Sequence, residues 1–211
     1  MTWVAPMAVA AIIAVLDWWA VATDRRPIER WAKPAVMVFL IAAAVLIPAE
    51  SAAVRWAIVV GLALGLGGDV LLFADRFIPG AAAFLVGHLA YVVALLLVTQ
   101  EPRGLLVGAV IVLLVAVFVG RQIVAGAWRR SPVLGGIVAA YMLVIGIVVI
   151  LAVGSSSVVA AIAALLFLTS DALLAWARFV GPAPGGRVAV MVTYQLAQAG
   201  FVLAIPTLAI A

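Results

Sequence analysis

PVLGGIVAAYMLVIGIVVILAV occupies residues 132–153 and contains no charged side chain. A helix needs about 20 apolar residues to cross the hydrocarbon core of a bilayer, so this stretch has the length of a membrane span. The rest of the chain is similar: of its 211 residues 69% are hydrophobic and 9% are charged, and the mean hydropathy is +1.40. A soluble domain of this length does not need so much apolar surface. The sequence therefore predicts an all-α membrane protein.

Seven further apolar stretches flank this one, separated by short breaks with charged residues, proline or glycine. The eight predicted spans are roughly 3–22, 33–48, 54–73, 80–99, 104–120, 132–153, 157–177 and 187–208. The breaks are too short to hold a folded domain, so residues 1–211 are expected to form a single transmembrane domain, a bundle of eight helices. The first stretch lacks a preceding positive segment, which favours a membrane helix over a signal peptide.

The positively charged residues set the expected orientation. Of the twelve Lys and Arg residues, all but Arg55 and Arg103 lie in or beside the first, third, fifth and seventh connections. Cytoplasmic connections carry such an excess. We therefore expect a multi-pass protein of the inner cell membrane with both termini on the non-cytoplasmic side. Since topology accounts for the net charge of +4, no nucleic-acid partner is expected.

Polar side chains in the spans fall at one depth. Asp69 and Asp171 each precede an arginine by seven residues, which is roughly 10 Å along a helix. An ionisable side chain inside a membrane costs about 2.5–3.5 kcal/mol on insertion scales, so it needs partners in the bundle interior. We expect one polar site that opens toward the cytoplasmic side. Its candidate residues are Lys33, Asp69, His88, Tyr91, Tyr141, Ser170, Asp171, Tyr194, Gln195 and Gln198, with Asp17 at a similar level.

The two aspartates lie in similar local sequences. When GLGGDVLLFADRF (65–77) and FLTSDALLAWARF (167–179) are aligned on Asp69 and Asp171, they agree at five positions from the aspartates onward. The following spans carry HLAY (88–91) and QLAQ (195–198), and the preceding spans begin with KPAV (33–36) and SPVL (131–134). This pattern predicts two four-helix halves related by an axis along the membrane normal. Three glycines, Gly61, Gly65 and Gly68, predict close helix packing on one face of the third span.

Composition narrows the chemistry that such a site can perform. The chain has no cysteine and one histidine, which excludes thiol catalysis and counts against a zinc site, so no metal or cofactor is expected. Two carboxyl groups in a poorly hydrated site can divide acid and base roles, as in glycosidases that work through an oxocarbenium ion. Protonation of an enol ether gives the same kind of cation. The residues permit this chemistry without selecting it.

An ordered set of short motifs resembles the YhhN-like lysoplasmalogenase family over about residues 30–200. The motifs are AKP in the second span, GD in the third, GHLAY in the fourth, Tyr141 in the sixth, SDALLA in the seventh and YQLAQ in the eighth. The resemblance implies a membrane hydrolase that cleaves the vinyl ether bond of a lyso-ether phospholipid to a fatty aldehyde and a glycerophospho-alcohol. It also implies that the family's polar positions are Lys33, Asp69, His88, Tyr141, Asp171, Tyr194 and Gln198.

Within this interpretation, Asp69, Asp171 and His88 are the expected catalytic residues. Asp171 is favoured as the general acid because Ser170 and Gln198 could hold it protonated. The remaining candidates are expected to bind substrate, with Lys33 at the lipid phosphate. No oligomeric state is predicted.

Two other functions stay open from the sequence. A proton-coupled secondary transporter would explain parallel repeats and acids within the membrane, although the polar groups lie on one side of the midplane and no proline interrupts a span centre. A non-catalytic lipid-binding membrane protein is the second alternative, although it would not need paired carboxylates at depth.

Overall fold

The computed structural model describes residues 2–210, and within them the chain forms eight helices joined by short connections. The helices are α1 (Val4–Ala22), α2 (Arg26–Leu46), α3 (Ala52–Phe73), α4 (Phe77–Leu96), α5 (Pro102–Arg130), α6 (Pro132–Gly154), α7 (Val158–Phe179) and α8 (Gly186–Ala204). A π-helical segment, Ala116–Gly120, interrupts α5, and a 3-10 turn, Ile205–Thr207, extends α8.

Seven of the eight helices in residues 2–210, all except α2, are long and apolar enough to cross a membrane. This confirms the all-helical, multi-pass fold class. The helix α2 begins at Arg26 rather than near residue 33, and its first two turns are charged, which lowers its hydropathy. That all eight helices cross the bilayer stays a prediction.

The bundle is built from consecutive helix pairs. The helix α1 packs on α2, α3 on α4, α5 on α6, and α7 on α8. Further contacts of α2 with α3, α4 with α6, α6 with α7 and α8 with α1 close a ring of seven helices. The helix α5 lies outside this ring, against α6 and α7. The candidate polar residues all lie on helices of this ring, and none lies on α5.

Glycines on α3 let the aromatic side chains of α4 approach closely. A Cβ atom on Gly61 would lie 2.6 Å from the ring of Tyr91, and a Cβ on Gly68 would lie 2.6 Å from the ring of Phe84. Such distances are shorter than carbon atoms tolerate, so glycine is required if the rings are to keep these positions. The predicted role of this glycine face in helix packing is confirmed.

The helix connections alternate between the two ends of the bundle. At one end, Arg187 at the start of α8 lies 2.6 Å from Glu29 and 3.2 Å from Asp24 in the α1–α2 region. At the opposite end, the Glu101 N–H donates to the Gly154 carbonyl at 2.8 Å. The first end, which we call the basic end, holds the arginines of the odd-numbered connections. That the basic end faces the cytoplasm stays a prediction.

Candidate functional site

The first polar cluster surrounds Asp69, which α3 places in the bundle interior with 1% of its surface exposed. Lys33 from α2 brings its Nζ to 2.8 Å from Asp69 Oδ1. Tyr194 from α8 donates its hydroxyl hydrogen to Oδ2 at 2.8 Å. A buried carboxylate needs such a counter-charge and hydrogen bond to offset its lost hydration. Lys33 is thus itself buried against a carboxylate, although the sequence predicts that it meets the lipid phosphate at the cytoplasmic interface.

The second cluster surrounds Asp171 on α7. Tyr141 from α6 donates its hydroxyl hydrogen to Asp171 Oδ2 at 3.0 Å, and His88 Nε2 from α4 lies 3.4 Å from the same oxygen. The other ring nitrogen of His88, Nδ1, lies 2.7 Å from the Phe84 carbonyl oxygen. Because a carbonyl oxygen only accepts, Nδ1 carries a hydrogen. An attractive contact between Nε2 and the carboxyl group then needs one proton between them, held by either partner.

The remaining candidate polar residues have partners of their own. Gln195 Nε2 donates to Asp17 Oδ2 at 2.7 Å, and the Tyr91 hydroxyl donates to Gln198 Oε1. Ser170 donates to the Val190 carbonyl at 3.1 Å.

The expectation that Ser170 and Gln198 contact Asp171 is therefore wrong. The reason lies in helix geometry, since adjacent residues on a helix point about 100° apart. Ser170 faces α8, whereas Asp171 faces α4 and α6. Gln198 is held by Tyr91 instead.

Aromatic rings lie between the two aspartate clusters. The Phe167 ring packs edge-on against His88, with centroids 4.5 Å apart, and against Tyr194, with centroids 5.8 Å apart. The Phe84 ring also packs edge-on against Tyr194 at 5.8 Å. The structure thus brings the candidate residues into one region of the bundle but separates them into clusters with apolar rings between.

An apolar cavity of about 320 Å³ reaches the second cluster only. Side chains from α3 to α7 line it, and the polar residues among its described lining are Tyr141 and Asp171. Asp69, His88 and Tyr194 do not line this cavity, although the sequence predicted one pocket lined by all five residues. Phe84 forms part of the wall and packs edge-on against Tyr194, whereas Asp69 and His88 are buried among the helices with 1% and 2% of their surfaces exposed. Asp171 is 14% exposed, and this exposure distinguishes it from Asp69.

A second cavity of about 410 Å³ adjoins the first at the basic end. We call it the basic mouth, and its charged lining residues are Asp75, Arg76, Arg130 and Arg178. Phe77, Ile78 and Leu134 line both cavities.

From the sequence, membrane topology alone accounts for these arginines. They lie far apart in the chain, and the only signal of their proximity is that each follows or ends a helix at the same end of the bundle.

Within residues 2–210, no group of three or more His, Asp or Glu side chains is arranged to hold a metal ion. The groups available for proton transfer in this region are the carboxyl, imidazole and phenol groups already described.

Comparisons with known proteins agree with the resemblance seen in the motifs. Two similar proteins are both named lysoplasmalogenase TMEM86B. The one from Sus scrofa is 34% identical over 139 residues, and the one from Homo sapiens is 36% identical over 135 residues. These alignments cover 65% and 63% of this chain but 57% and 55% of the relatives, so the chain matches little more than half of their length. No solved structure matches the chain. Residues 28–205, which include the basic mouth and every candidate site residue except Asp17, match the YhhN family, and the chain belongs to that family.

Proposed function

We propose that this protein is a membrane-embedded hydrolase that cleaves the vinyl ether bond of a lyso-ether phospholipid to a fatty aldehyde and a glycerophospho-alcohol. The proposal rests on the apolar cavity. Among the residues that line it in the described part of the chain, Asp171 and Tyr141 are the polar ones. Such a cavity suits an alkenyl chain and presents one carboxyl group to it. The name of the two relatives supplies the substrate class.

The first chemical step is a proton transfer from Asp171 to carbon. In its protonated form, Asp171 gives its hydrogen to the β-carbon of the enol ether, whose π electrons form the new C–H bond. The ether oxygen and α-carbon then share the positive charge of an oxocarbenium ion. The Asp171 carboxylate formed in this step stabilises the cation across the low-dielectric cavity. Tyr141, which donates to Oδ2, holds the carboxyl group in position.

The second step is the addition of water to the α-carbon. One proton of the water returns to Asp171, either directly or through His88 Nε2, which lies 3.4 Å from the same carboxylate oxygen. The resulting hemiacetal breaks the bond between its α-carbon and the glycerol oxygen. Its hydroxyl group gives up a proton as the aldehyde carbonyl forms, and the glycerol oxygen takes up a proton and leaves as an alcohol. The other product is the aldehyde. One water molecule is consumed, and the enzyme returns to its starting protonation state.

Asp69 has a different role in this proposal from the catalytic one expected from the sequence. Its carboxylate is committed to Lys33 and Tyr194 and does not line the apolar cavity. We therefore assign Asp69 and Lys33 as positioning residues that hold α2, α3 and α8 together beneath the site. Tyr91, Gln195 and Gln198 hold neighbouring helices in the same way, through the contacts described above.

The proposal is tested by measuring aldehyde release from a lysoplasmenyl lipid. General acid–base assistance contributes typically 10²–10⁴-fold, so Asp171→Asn should reduce turnover by about that factor while the protein still folds. Thr169→Ala is the matched control, because Thr169 lies on the same helix, is exposed and only bonds to the Leu165 carbonyl. Near-normal turnover in Asp171→Asn would contradict the mechanism. No aldehyde from any ether lipid with the wild-type protein would favour the transporter or lipid-binding alternatives.

A further inference from the structure

Two guanidinium groups of the basic mouth are held in place by aromatic rings. Arg178 lies over the Phe77 ring at 4.8 Å, and Arg130 lies over the Phe179 ring at 5.4 Å. The two rings pack edge-on against each other with centroids 6.5 Å apart. Stacking on a ring uses the face of a guanidinium group and leaves its N–H edges available for a ligand. The arrangement therefore presents two oriented sets of donors at the entrance to the apolar cavity.

These donors lack acidic partners. Among residues 2–210, no carboxylate oxygen lies within 4.0 Å of a guanidinium nitrogen of Arg76, Arg130 or Arg178, in contrast to Arg187 with Glu29 and Asp24. Asp75 lines the basic mouth as well, but three arginines outnumber it. Positive charge thus predominates in a concave site, which is the arrangement that recognises a phosphate group.

The spacing between the basic mouth and Asp171 matches the geometry of a lyso-ether phospholipid. Arg178 and Asp171 are seven residues apart on α7, which corresponds to roughly 10 Å along the helix axis. In such a lipid, seven covalent bonds separate the phosphorus from the β-carbon of the vinyl ether. An extended chain advances roughly 1.2 Å per bond, which gives roughly 8 Å. A phosphate at the arginines would therefore place the β-carbon near the Asp171 carboxyl group.

The distal part of an alkenyl chain can leave the apolar cavity on one side. Ile78, Ile137 and Leu174 line the apolar cavity and are exposed on the outer surface of the bundle, by 62%, 41% and 38%. A long chain can pass this wall into the surrounding hydrocarbon while its vinyl ether stays at Asp171.

We propose that Arg130 and Arg178, assisted by Arg76, bind the phosphate of the lipid headgroup and thereby set the depth at which the ether bond meets Asp171. This inference deepens the proposed function and rests on it for the identity of the bond. In this proposal the arginines of the basic mouth bind the phosphate, whereas the sequence predicts that Lys33 binds it.

The test uses ligands that lack the vinyl bond, so that binding is measured separately from hydrolysis. The purified protein in a neutral detergent is titrated with a long-chain 1-O-alkyl-lysophosphocholine, with the corresponding 1-O-alkylglycerol, and with glycerophosphocholine, using intrinsic tryptophan fluorescence. The variants are the double change Arg130→Gln/Arg178→Gln and the single change Arg129→Gln. Arg129 is the matched control because it is an exposed neighbour on α5 that does not line either cavity.

The double variant should bind the alkyl-lysophosphocholine about tenfold more weakly, because hydrogen bonds to a charged group are lost. Its Kd for the alkylglycerol should be unchanged, which also shows that the variant is folded. Arg129→Gln should alter neither Kd, and glycerophosphocholine should bind much more weakly than the lipid.

Four results would overturn the inference: no loss of phospholipid binding in the double variant, an equal loss for the alkylglycerol, the same loss in Arg129→Gln, or glycerophosphocholine binding as tightly as the lipid. The same loss in Arg129→Gln would indicate a general charge effect, and tight binding of glycerophosphocholine would indicate a site for a water-soluble phosphodiester. Because no ligand in the titration contains a vinyl ether, a failure of hydrolysis would leave these binding results intact.

Discussion

Two aspartates in similar local sequences have different surroundings. Asp69 is paired with an ammonium group and a phenol, whereas Asp171 is contacted by a phenol and an imidazole at the wall of an apolar cavity. The partners come from other helices, so the local sequence does not determine them. Proton transfer to an apolar substrate requires access to the cavity, and this favours Asp171.

The Lys33–Asp69 pair leads to a prediction about stability. Removing one partner of a buried ion pair typically costs about 3–5 kcal/mol, because the other charge is left without compensation, whereas replacing both partners by apolar residues is often nearly neutral. We expect Asp69→Leu to lower the unfolding free energy by an amount in that range, and Lys33→Met/Asp69→Leu to recover most of it. Denaturant unfolding in detergent measures both effects.

The Lys33→Met/Asp69→Leu variant also distinguishes a positioning role of Asp69 from a catalytic one. If Asp69 only holds the helices together, the folded Lys33→Met/Asp69→Leu variant should retain a substantial share of the wild-type activity in aldehyde release. A double variant that is as stable as the wild type but completely inactive would instead support the paired-carboxylate mechanism expected from the sequence.

At the residue scale, the sequence predicts a common depth for the polar groups, but it does not predict which of them pair. Membrane burial and helical rise place Asp69, His88, Tyr141, Asp171 and Tyr194 near one level. The separation into clusters depends on where Phe84 and Phe167 project, and these rings look like ordinary apolar residues in the sequence.

The helix α3 provides a matched pair of glycines for a test of helix packing. A Cβ on Gly61 would meet the Tyr91 ring at 2.6 Å, whereas a Cβ on Gly67 would meet nothing within 4 Å. Gly61→Ala should destabilise the protein by about 1–3 kcal/mol through overpacking. Gly67→Ala should be neutral or stabilising by up to about 1 kcal/mol, since alanine favours the helix. Thermal unfolding of both variants in the same detergent checks this contrast.

Equal effects of the two substitutions would show that helix propensity, rather than the contact with Tyr91, determines stability at this face. A displaced Tyr91 ring should in addition weaken its hydrogen bond to Gln198 on α8, so the Gly61→Ala effect is expected to extend beyond the α3–α4 pair.

At the element scale, the boundary of α5 was the least accurate prediction. The sequence predicted its span to end near residue 120, before Arg121, but the helix continues to Arg130. Charge marks the limit of the hydrocarbon core, not the end of a helix, and arginine and glutamine are good helix formers. The chain leaves the helix only at Ser131, which precedes Pro132. This extension carries Arg130 to the basic mouth.

At the scale of the whole molecule, the contacts of the two aspartates follow one scheme. Asp69 on α3 contacts α2 from its own half and α8 from the other half, whereas Asp171 on α7 contacts α6 from its own half and α4 from the other. The Tyr91–Gln198 hydrogen bond joins corresponding positions of HLAY and QLAQ. This scheme supports the two-half repeat, which stays a prediction.

The orientation of the bundle is open to a direct test. The chain has no cysteine, so a single introduced cysteine reports its own position. With the basic end at the cytoplasm, Glu50→Cys in the α2–α3 connection should react with an impermeant thiol reagent added to intact cells. Pro182→Cys in the α7–α8 connection should react only after permeabilisation. Both residues are exposed in the structure. The reverse pattern would invert the orientation and place the basic mouth on the outer side.

Charge distribution and hydropathy were sufficient to predict the helical bundle and the alternation of its connections. They could not predict the cavities, because these form where side chains from five helices leave space. The three arginines of the basic mouth, which are distant in sequence, meet only in the folded chain.

The exposed wall formed by Ile78, Ile137 and Leu174 has a kinetic consequence. A substrate that reaches the site along this wall has already dissolved in the bilayer, so the protein meets it in two dimensions. Saturation should then follow the mole fraction of substrate in the membrane and not its amount per volume of suspension. In proteoliposomes with a mole fraction of substrate below saturation, incorporating more inert phospholipid at a fixed total amount of substrate should slow aldehyde release in proportion to the surface dilution. Adding buffer should leave the turnover per protein molecule unchanged.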